Sequence, residues 1–200
     1  NANSVSAQQE KINQNPHFVY LAYFAPNVIK VGISQEERGI RRLLEQGARL
    51  AIKLETFSSA LIARQYEAKI SKLDGIAETL PVYKKLELIK QPFDRTIGER
   101  ELRQKLLEIE QKIGVSFPKS ELIPCEDYFQ TVGVDLSRVV LMKDCSQLVG
   151  HVRSVIGSIV ITDYGDQLLA YNVKKFIGYR AQKVDEEIEL DLPTEQLTLF

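Results

Sequence analysis

Residues 18–34 read FVYLAYFAPNVIKVGIS, and this stretch decides the fold. Two short apolar runs flank Pro26-Asn27, a dipeptide that favours a turn, so the pattern predicts a β-hairpin. Side chains alternate between the two faces of a strand. Both faces of the first strand are largely apolar, with Phe18, Tyr20 and Ala22 on one and Val19, Leu21 and Tyr23 on the other. We therefore expect a central hairpin that is covered on both sides.

A helix, a strand and a second helix are predicted after the hairpin. Ser34 and Glu37 have the spacing of a capping box, which predicts a helix to Gln46 that ends at Gly47. The alternation over residues 49–57 predicts a strand. A further helix is expected to begin at Ser58 or Ser59 and to end near Leu73. The order hairpin, helix, strand, helix predicts an α/β core over residues 17–95.

Charged side chains share the outer faces of these two helices. On the first helix, spacings of three and four place four of them together: Arg38, Arg41, Arg42 and Glu45. On the second, Arg64 and Glu67 lie opposite an apolar stripe. Such faces are either solvated, with ion pairs worth about a few tenths of a kcal/mol, or they bind phosphate through arginine. Both interpretations stay open on the residues alone.

Composition bounds the class of protein. The chain has 200 residues, of which 44% are hydrophobic and 26% charged, which is ordinary globular composition. No apolar run approaches the ~20 residues of a membrane span, so we expect no membrane partner. Two cysteines without secretory features predict reduced thiols and a cytoplasmic protein. The chain begins at Asn1, which is compatible with a fragment or a processed product.

The remaining segments are divided by changes in composition. Residues 1–16 are predicted to be a leader or linker, with helical content around Ala7 to Ile12. Residues 96–136 are predicted to be a helical connector, in which a helix begins at Thr96 and ends at Gly114. Residues 137–184 carry short β-type runs separated by glycines, which predict a small antiparallel β module. The chain as a whole is therefore of the α+β class.

Two further segments carry charge. Residues 80–95 are basic, with Lys84 and Lys85 beside Tyr83, and could flank a nucleic-acid groove or form an ordinary amphipathic connector. Residues 185–200 contain six acidic and no basic side chains. Removing these from the formal net charge of −1 leaves the rest of the chain at +5, which leans toward anionic partners.

The hairpin carries a family resemblance. Its half-motifs, Phe18-Val19-Tyr20 and Lys30-Val31-Gly32, resemble those of the GIY-YIG nuclease superfamily, in the branch where lysine replaces the second tyrosine. The longer stretches KVGISQEERGIRRLLEQGA (30–48) and GSIVITDYGDQLLAYNVKKFIGYR (157–180) also resemble a bacterial family of unassigned function with this core. The histidine that follows the arginine in the superfamily has no counterpart here, where Glu45 and Gln46 stand.

The resemblance implies roles for four residues in cutting DNA. Tyr20 would orient or deprotonate the attacking water, and Lys30 would contact a phosphate or act as a base. Arg41, with Arg42 as the alternative, would stabilise charge on the phosphoryl oxygens. Glu67 would hold one Mg²⁺ or Mn²⁺ ion, which needs only one or two protein carboxylates. Further cations are expected to contact nucleic acid: Arg38, Arg42, Arg64, Lys84 and Lys85.

The last five residues, QLTLF, resemble the peptide by which bacterial proteins bind the sliding clamp. An extended tail would present Leu199 and Phe200 to a hydrophobic groove, with Gln196 and Leu197 beside them. The alternative is a terminal strand that packs on the body of the protein. Three functions follow from these patterns: a metal-dependent DNA endonuclease, a catalytically inactive DNA- or clamp-binding module, and a protein-interaction domain without a nucleic-acid role. We expect one of the first two.

Overall fold

The predicted hairpin forms the centre of a five-stranded sheet. The computed structural model describes residues 6–142, 146–184 and 190, and the hairpin consists of β1 (His17–Ala25) and β2 (Val28–Gln35). Asn27 takes the left-handed conformation that the turn requires (φ 60°), and its amide donates to Glu101 Oε2 at 3.1 Å. Every residue of β1 is buried. The expectation of a hairpin covered on both sides is confirmed.

Three more strands complete this sheet: β3 (Leu50–Phe57), β4 (Ile76–Ala77) and β5 (Glu121–Ile123). The strand order is β4-β2-β1-β3-β5, with β4 parallel to β2 and the other pairs antiparallel. The strand predicted over residues 49–57 is confirmed. The two short outer strands were not predicted, since two or three residues are too few to show a period.

Within the described ranges, five helices flank the sheet: α1 (Ala7–Gln14), α2 (Gly39–Gln46), α3 (Ala60–Ile70), α4 (Val82–Ile89) and α5 (Arg95–Ile113). Gly47 and Gly114 end α2 and α5 in the left-handed conformation, as predicted. Among the described residues, no helix is both long enough and apolar enough to cross a membrane.

The helix starts predicted from Ser34 and at Thr96 are both wrong. Ser34 lies within β2, where it pairs with Phe18 of β1, and continued strand pairing displaces the helix start. A 3-10 turn at Glu36–Arg38 follows, so that α2 begins at Gly39. The helix α5 is capped by Asp94, which accepts a hydrogen bond from the Ile97 amide at 3.1 Å, instead of by Thr96.

Two apolar clusters lie on opposite faces of the central sheet. One contains Val19, Leu21 and Tyr23 of β1 together with buried side chains of α3 and α5, such as Ala63, Ile70, Leu102 and Ile109. The other contains Phe18, Tyr20 and Ala22 of β1 together with Leu43 of α2 and Leu86 of α4. The second cluster continues into the C-terminal part of the chain through Ile156, Ile159 and Ile161.

The C-terminal part forms a four-stranded sheet from β6 (Val139–Met142), β7 (His151–Ile156), β8 (Ile159–Tyr164) and β9 (Gln167–Asn172). The order is β6-β9-β8-β7. The strands β7, β8 and β9 are antiparallel, as predicted, but β6 runs parallel to β9, so the sheet is mixed. The α+β class predicted for the chain is confirmed.

The C-terminal end of α2 is held by close backbone contact with the second sheet. Gly157, in the turn between β7 and β8, packs so tightly that a Cβ there would lie 2.8 Å from Gly47 N and 2.9 Å from Glu45 O. On another side, Lys85 Nζ donates to Gln46 O at 2.6 Å. These contacts fix α2, and with it the arginines of its outer face, against the hairpin.

This contact predicts that Gly157→Ala destabilises the protein more than Gly165→Ala does. Both glycines have positive φ (62° and 57°), so both substitutions carry a backbone cost of about 1 kcal/mol. A Cβ at Gly165 meets nothing within 4 Å, whereas one at Gly157 meets backbone. We expect an extra loss of about 1–3 kcal/mol in the free energy of unfolding for Gly157→Ala, measured by urea denaturation. Equal losses would contradict the contact.

Candidate functional site

The candidate site is organised by Tyr20 and Gly32, which lie directly opposite each other on β1 and β2. A Cβ placed on Gly32 would lie 2.5 Å from Tyr20 Oη and 2.6 Å from Tyr20 Cζ. The tyrosine ring therefore crosses over the glycine and occupies the space of a side chain there. This contact gives a physical reason for a tyrosine in one half-motif and a glycine in the other.

The hydroxyl of Tyr20 is buried without a hydrogen-bond partner. Among the described residues, three buried side-chain polar atoms lack a partner: Tyr20 Oη, Arg42 Nε and Ser34 Oγ. An unpaired buried polar atom costs about 1–3 kcal/mol, so its presence needs a reason. Tyr20 and Arg42 are also neighbours, since the guanidinium acts electrostatically on the phenol. The Arg42 guanidinium is close enough to the phenol oxygen to act on it as a hydrogen-bond donor as well as a charge, although the two groups do not form a hydrogen bond of good geometry.

Burial raises the pKa of the Tyr20 hydroxyl above its ordinary value of 10.0, and the positive charge of Arg42 opposes this only in part. Tyr20 is therefore a neutral phenol at physiological pH. A neutral phenol both donates and accepts hydrogen bonds. It can orient a water molecule or a phosphate oxygen, but it is a poor base before a ligand binds.

Lys30 extends from β2 into the same region. Its Nζ donates to Val31 O at 3.0 Å and to Glu78 O at 2.7 Å. An ammonium group has three donors, so one remains for a ligand. Burial lowers the pKa of Lys30, while the negative charge of Glu67 works in the opposite direction. The lysine is thus held in place by backbone carbonyls and is half-buried.

Glu67 approaches from α3, which packs along β2. Burial raises the pKa of the Glu67 carboxyl, and the positive charge of Lys30 opposes the shift. No described residue forms a hydrogen bond or a salt bridge with the carboxylate. Its negative charge acts on both Tyr20 and Lys30.

The structure brings together three of the four residues to which the resemblance gave roles in cutting DNA. Tyr20, Lys30 and Glu67 are neighbours, but Arg41 is exposed on α2 and is not among the charges that act on them. Arg42, the alternative, is partly buried and acts on all three. Of the two arginines, Arg42 is therefore the one that lies near the other three side chains. The helix α2 begins later than predicted, and this boundary sets which arginine faces the hairpin.

The other cations predicted to bind nucleic acid differ in their exposure and in the side chains that they act on. Arg38 acts on Tyr20 and pairs with Glu45 on the exposed side of α2. Arg64 acts on Glu67 and donates to Asn13 Oδ1 at 3.2 Å. Lys84 is exposed on α4, whereas burial and the positive charges of Lys30, Arg42 and Lys174 lower the pKa of Lys85 to about 8.

Two residues that act on the candidate site, Glu78 and Lys174, were not anticipated from the sequence. The carbonyl of Glu78 holds Lys30, and its carboxylate acts on Glu67. Glu78 follows the two-residue strand β4, for which no sequence pattern exists. Lys174 lies in a 3-10 turn after β9 and adds positive charge near Lys85. Its part in the site depends on how the second sheet packs, which periodicity does not show.

Glu67 offers one carboxylate that a divalent ion could use. Among the described residues, no cluster of three or more His, Cys, Asp or Glu side chains is placed to hold a metal ion. Glu67 is a half-buried carboxylate that forms no ion pair within that part of the chain. Mg²⁺ and Mn²⁺ take oxygen ligands, and Mg²⁺ is commonly held by one or two carboxylates together with water and substrate phosphate.

A comparison with known proteins identifies the family. Residues 4–181 match the family described as "Protein of unknown function (DUF2797)". The chain belongs to the DUF2797 family. No curated protein and no solved structure matches the sequence. The DUF2797 match includes every side chain of the candidate site and both sheets, while the clamp-like residues 196–200 lie beyond it.

In this DUF2797 protein, Tyr20→Phe and Tyr171→Phe are predicted to affect stability in opposite ways. Both tyrosines are fully buried on strands, but the Tyr171 hydroxyl bonds to the Val149 backbone, while that of Tyr20 has no partner. We expect Tyr20→Phe to keep or raise the free energy of unfolding, by up to about 1 kcal/mol, and Tyr171→Phe to lower it by about 1 kcal/mol. Chemical denaturation measures both.

A loss of more than about 1 kcal/mol for Tyr20→Phe would show that the hydroxyl stabilises the fold. In that case its unpaired state would carry no functional meaning.

Proposed function

We propose that this protein is a DNA-processing enzyme with a GIY-YIG-like, divalent-metal-dependent endonuclease core. The observation that carries the proposal is the buried, unpartnered hydroxyl of Tyr20, placed against Gly32 beside Arg42. A buried polar group without a partner needs an explanation, and a role in catalysis is one of the recognised ones. The half-motifs that supply Tyr20 and Gly32 are those that resemble the superfamily.

Charge supports a phosphodiester as the ligand. Five cations and three carboxylates lie in or around the site: Lys30, Arg38, Arg42, Arg64 and Lys85 against Glu67, Glu78 and Glu45, which pairs with Arg38. A surplus of positive charge in a partly buried site attracts a polyanion and speeds its encounter. The phosphate backbone of DNA supplies most of the affinity in such complexes.

Each side chain has a role that its geometry allows. Arg42 contacts the phosphoryl oxygens, where charge develops, and its free Nε–H offers one arm of a bidentate contact. Tyr20, as a neutral phenol, accepts a hydrogen bond from the attacking water and holds it in line. The third N–H of Lys30 contacts a neighbouring phosphate oxygen. A divalent ion held by Glu67 would stabilise negative charge on the leaving oxygen.

A catalytically inactive DNA-binding module on the same scaffold is the second candidate. The hydrogen bonds of Lys30 favour this alternative, because they bind two of its three N–H donors to backbone carbonyls. Lys30 also stands where the superfamily's second tyrosine is replaced. The surplus of positive charge serves binding without any bond cleavage. This alternative predicts no metal dependence and full tolerance of Glu67→Gln.

Recruitment to replicating or repaired DNA by the bacterial sliding clamp is a further part of the proposal. It rests on the sequence of residues 196–200 alone, since Gln196, Leu197, Leu199 and Phe200 lie outside the described residues. These partners imply a cytoplasmic protein.

The proposal is tested by cleavage of flap, fork and nicked DNA with Mg²⁺ or Mn²⁺, using paired variants. Arg42→Ala is expected to slow cleavage about 100- to 1,000-fold, the size of effect seen when one group that stabilises developing charge is removed. Arg41→Ala, at the exposed neighbouring position, is the matched control and should change the rate less than about threefold. Glu67→Gln is expected to abolish cleavage and retain DNA binding.

Cleavage that survives Glu67→Gln would contradict the assigned metal ligand. DNA binding by the wild type without cleavage of any of these substrates would favour the inactive module.

A further inference from the structure

A cavity of about 340 Å³ opens beside the candidate site, on the same face of the central sheet. Phe18 of β1 and Ile40 and Leu43 of α2 form apolar walls, and Tyr128 lies at the rim. Lys53 of β3 and Glu121 of β5 contribute the charged groups. The volume lies at the lower end of the range for small-ligand sites, which suits one planar group with its immediate attachments.

Phe18, a fully buried residue that lines the cavity, is also the neighbour of Tyr20 on the strand β1. Phe18 and Tyr20 are two residues apart on one strand and project from the same face, which separates their Cα atoms by about 7 Å. Their ring centroids are 5.8 Å apart. A group that enters the cavity therefore lies within reach of a nucleotide whose phosphate is held at Arg42.

Tyr128 is an aromatic side chain in an unusual setting. It is 56% exposed, although the 3-10 turn that carries it, Cys125–Tyr128, is well anchored. The Cys125 side chain is buried, and the Glu126 amide donates to Arg49 O at 2.8 Å. A rigidly mounted and exposed ring is suited to stacking on a flat partner, and every nucleobase has such a face.

Lys53 and Glu121 add a hydrogen-bond donor and an acceptor to the apolar cavity. Lys53 Nζ is fixed by a 2.6 Å hydrogen bond to Glu36 Oε1 and lies 5.3 Å from the centre of the Phe18 ring. Glu121 offers an exposed carboxylate, which accepts hydrogen bonds from amino groups. Donors and acceptors at the edge of an apolar slot match the edge of a base, which carries both.

We propose that this cavity receives one unpaired nucleobase of the DNA strand that is bound at Tyr20 and Arg42. The inference rests on the proposed function and narrows its substrate to DNA with a base free of its partner, such as a bulge, a gap or a flap junction. Enzymes that act on DNA commonly place an extruded base between aromatic and apolar side chains, as this cavity would.

The test compares binding of the full chain to two duplexes that differ only by one unpaired 2-aminopurine, without divalent ions. Fluorescence anisotropy measures affinity, and 2-aminopurine emission falls when the base stacks. We expect the wild type to bind the bulged duplex about tenfold more tightly and to quench its emission. Tyr128→Ala and the cavity-filling Ile40→Trp should both remove most of this preference and leave the affinity for paired DNA unchanged.

Leu107→Ala, which removes an exposed apolar side chain from α5, is the control and should keep the preference. Thermal denaturation checks that the Ile40→Trp variant folds. If that variant does not fold, Tyr128→Ala, a substitution at an exposed position, tests the cavity proposal by itself. Equal affinity for the two duplexes, with binding still dependent on Arg42, would overturn the cavity proposal and leave the proposed function intact. No binding to either duplex would overturn both.

Discussion

The contact between Tyr20 and Gly32 is the constraint on which the site depends. Antiparallel pairing of β1 with β2 sets these two residues opposite each other, and the missing side chain at Gly32 lets the tyrosine ring cross its own hairpin. The hydroxyl is thereby brought toward the edge of β2, where Lys30, Arg42 and Glu67 act on it or on one another. Any side chain at position 32 would occupy the space of the phenol ring and displace it.

The rest of the fold holds the residues around Tyr20 in place. The second sheet reaches the end of α2 through the backbone contact of Gly157 with Gly47, and Lys85 of α4 binds the last carbonyl of that helix. The carbonyl of Glu78, next to β4, holds Lys30. Within the described part of the chain, the buried side-chain polar atoms without a partner are, in contrast, Tyr20 Oη, Arg42 Nε and Ser34 Oγ. Hydrogen bonds and backbone contacts thus fix the supporting residues, while the central polar atoms are the ones that our proposal assigns to a ligand.

Much of the fold could be predicted from the sequence, but the choice of arginine could not. Strong alternation and turn residues predicted the hairpin and β3, and glycines marked the ends of α2 and α5. Ser34 and Glu37 also matched a local capping pattern, yet strand pairing with Phe18 prevailed and moved the helix start to Gly39. Successive helical residues are about 100° apart, so the orientation of the helix decides between Arg41 and Arg42. Orientation depends on tertiary contacts that the local pattern does not contain.

The most direct test of the account is ¹³C NMR of protein labelled at the tyrosine Cζ, titrated with a duplex that carries a nick. The Cζ resonance responds to hydrogen bonding at the phenol oxygen, and the signal of Tyr20 is assigned by its absence in Tyr20→Phe. Because its hydroxyl is unpartnered and faces the proposed phosphate site, the Tyr20 signal should shift on addition of DNA while that of Tyr171 stays in place. Binding of DNA with no change at Tyr20 would contradict the claim that its hydroxyl is kept for the substrate.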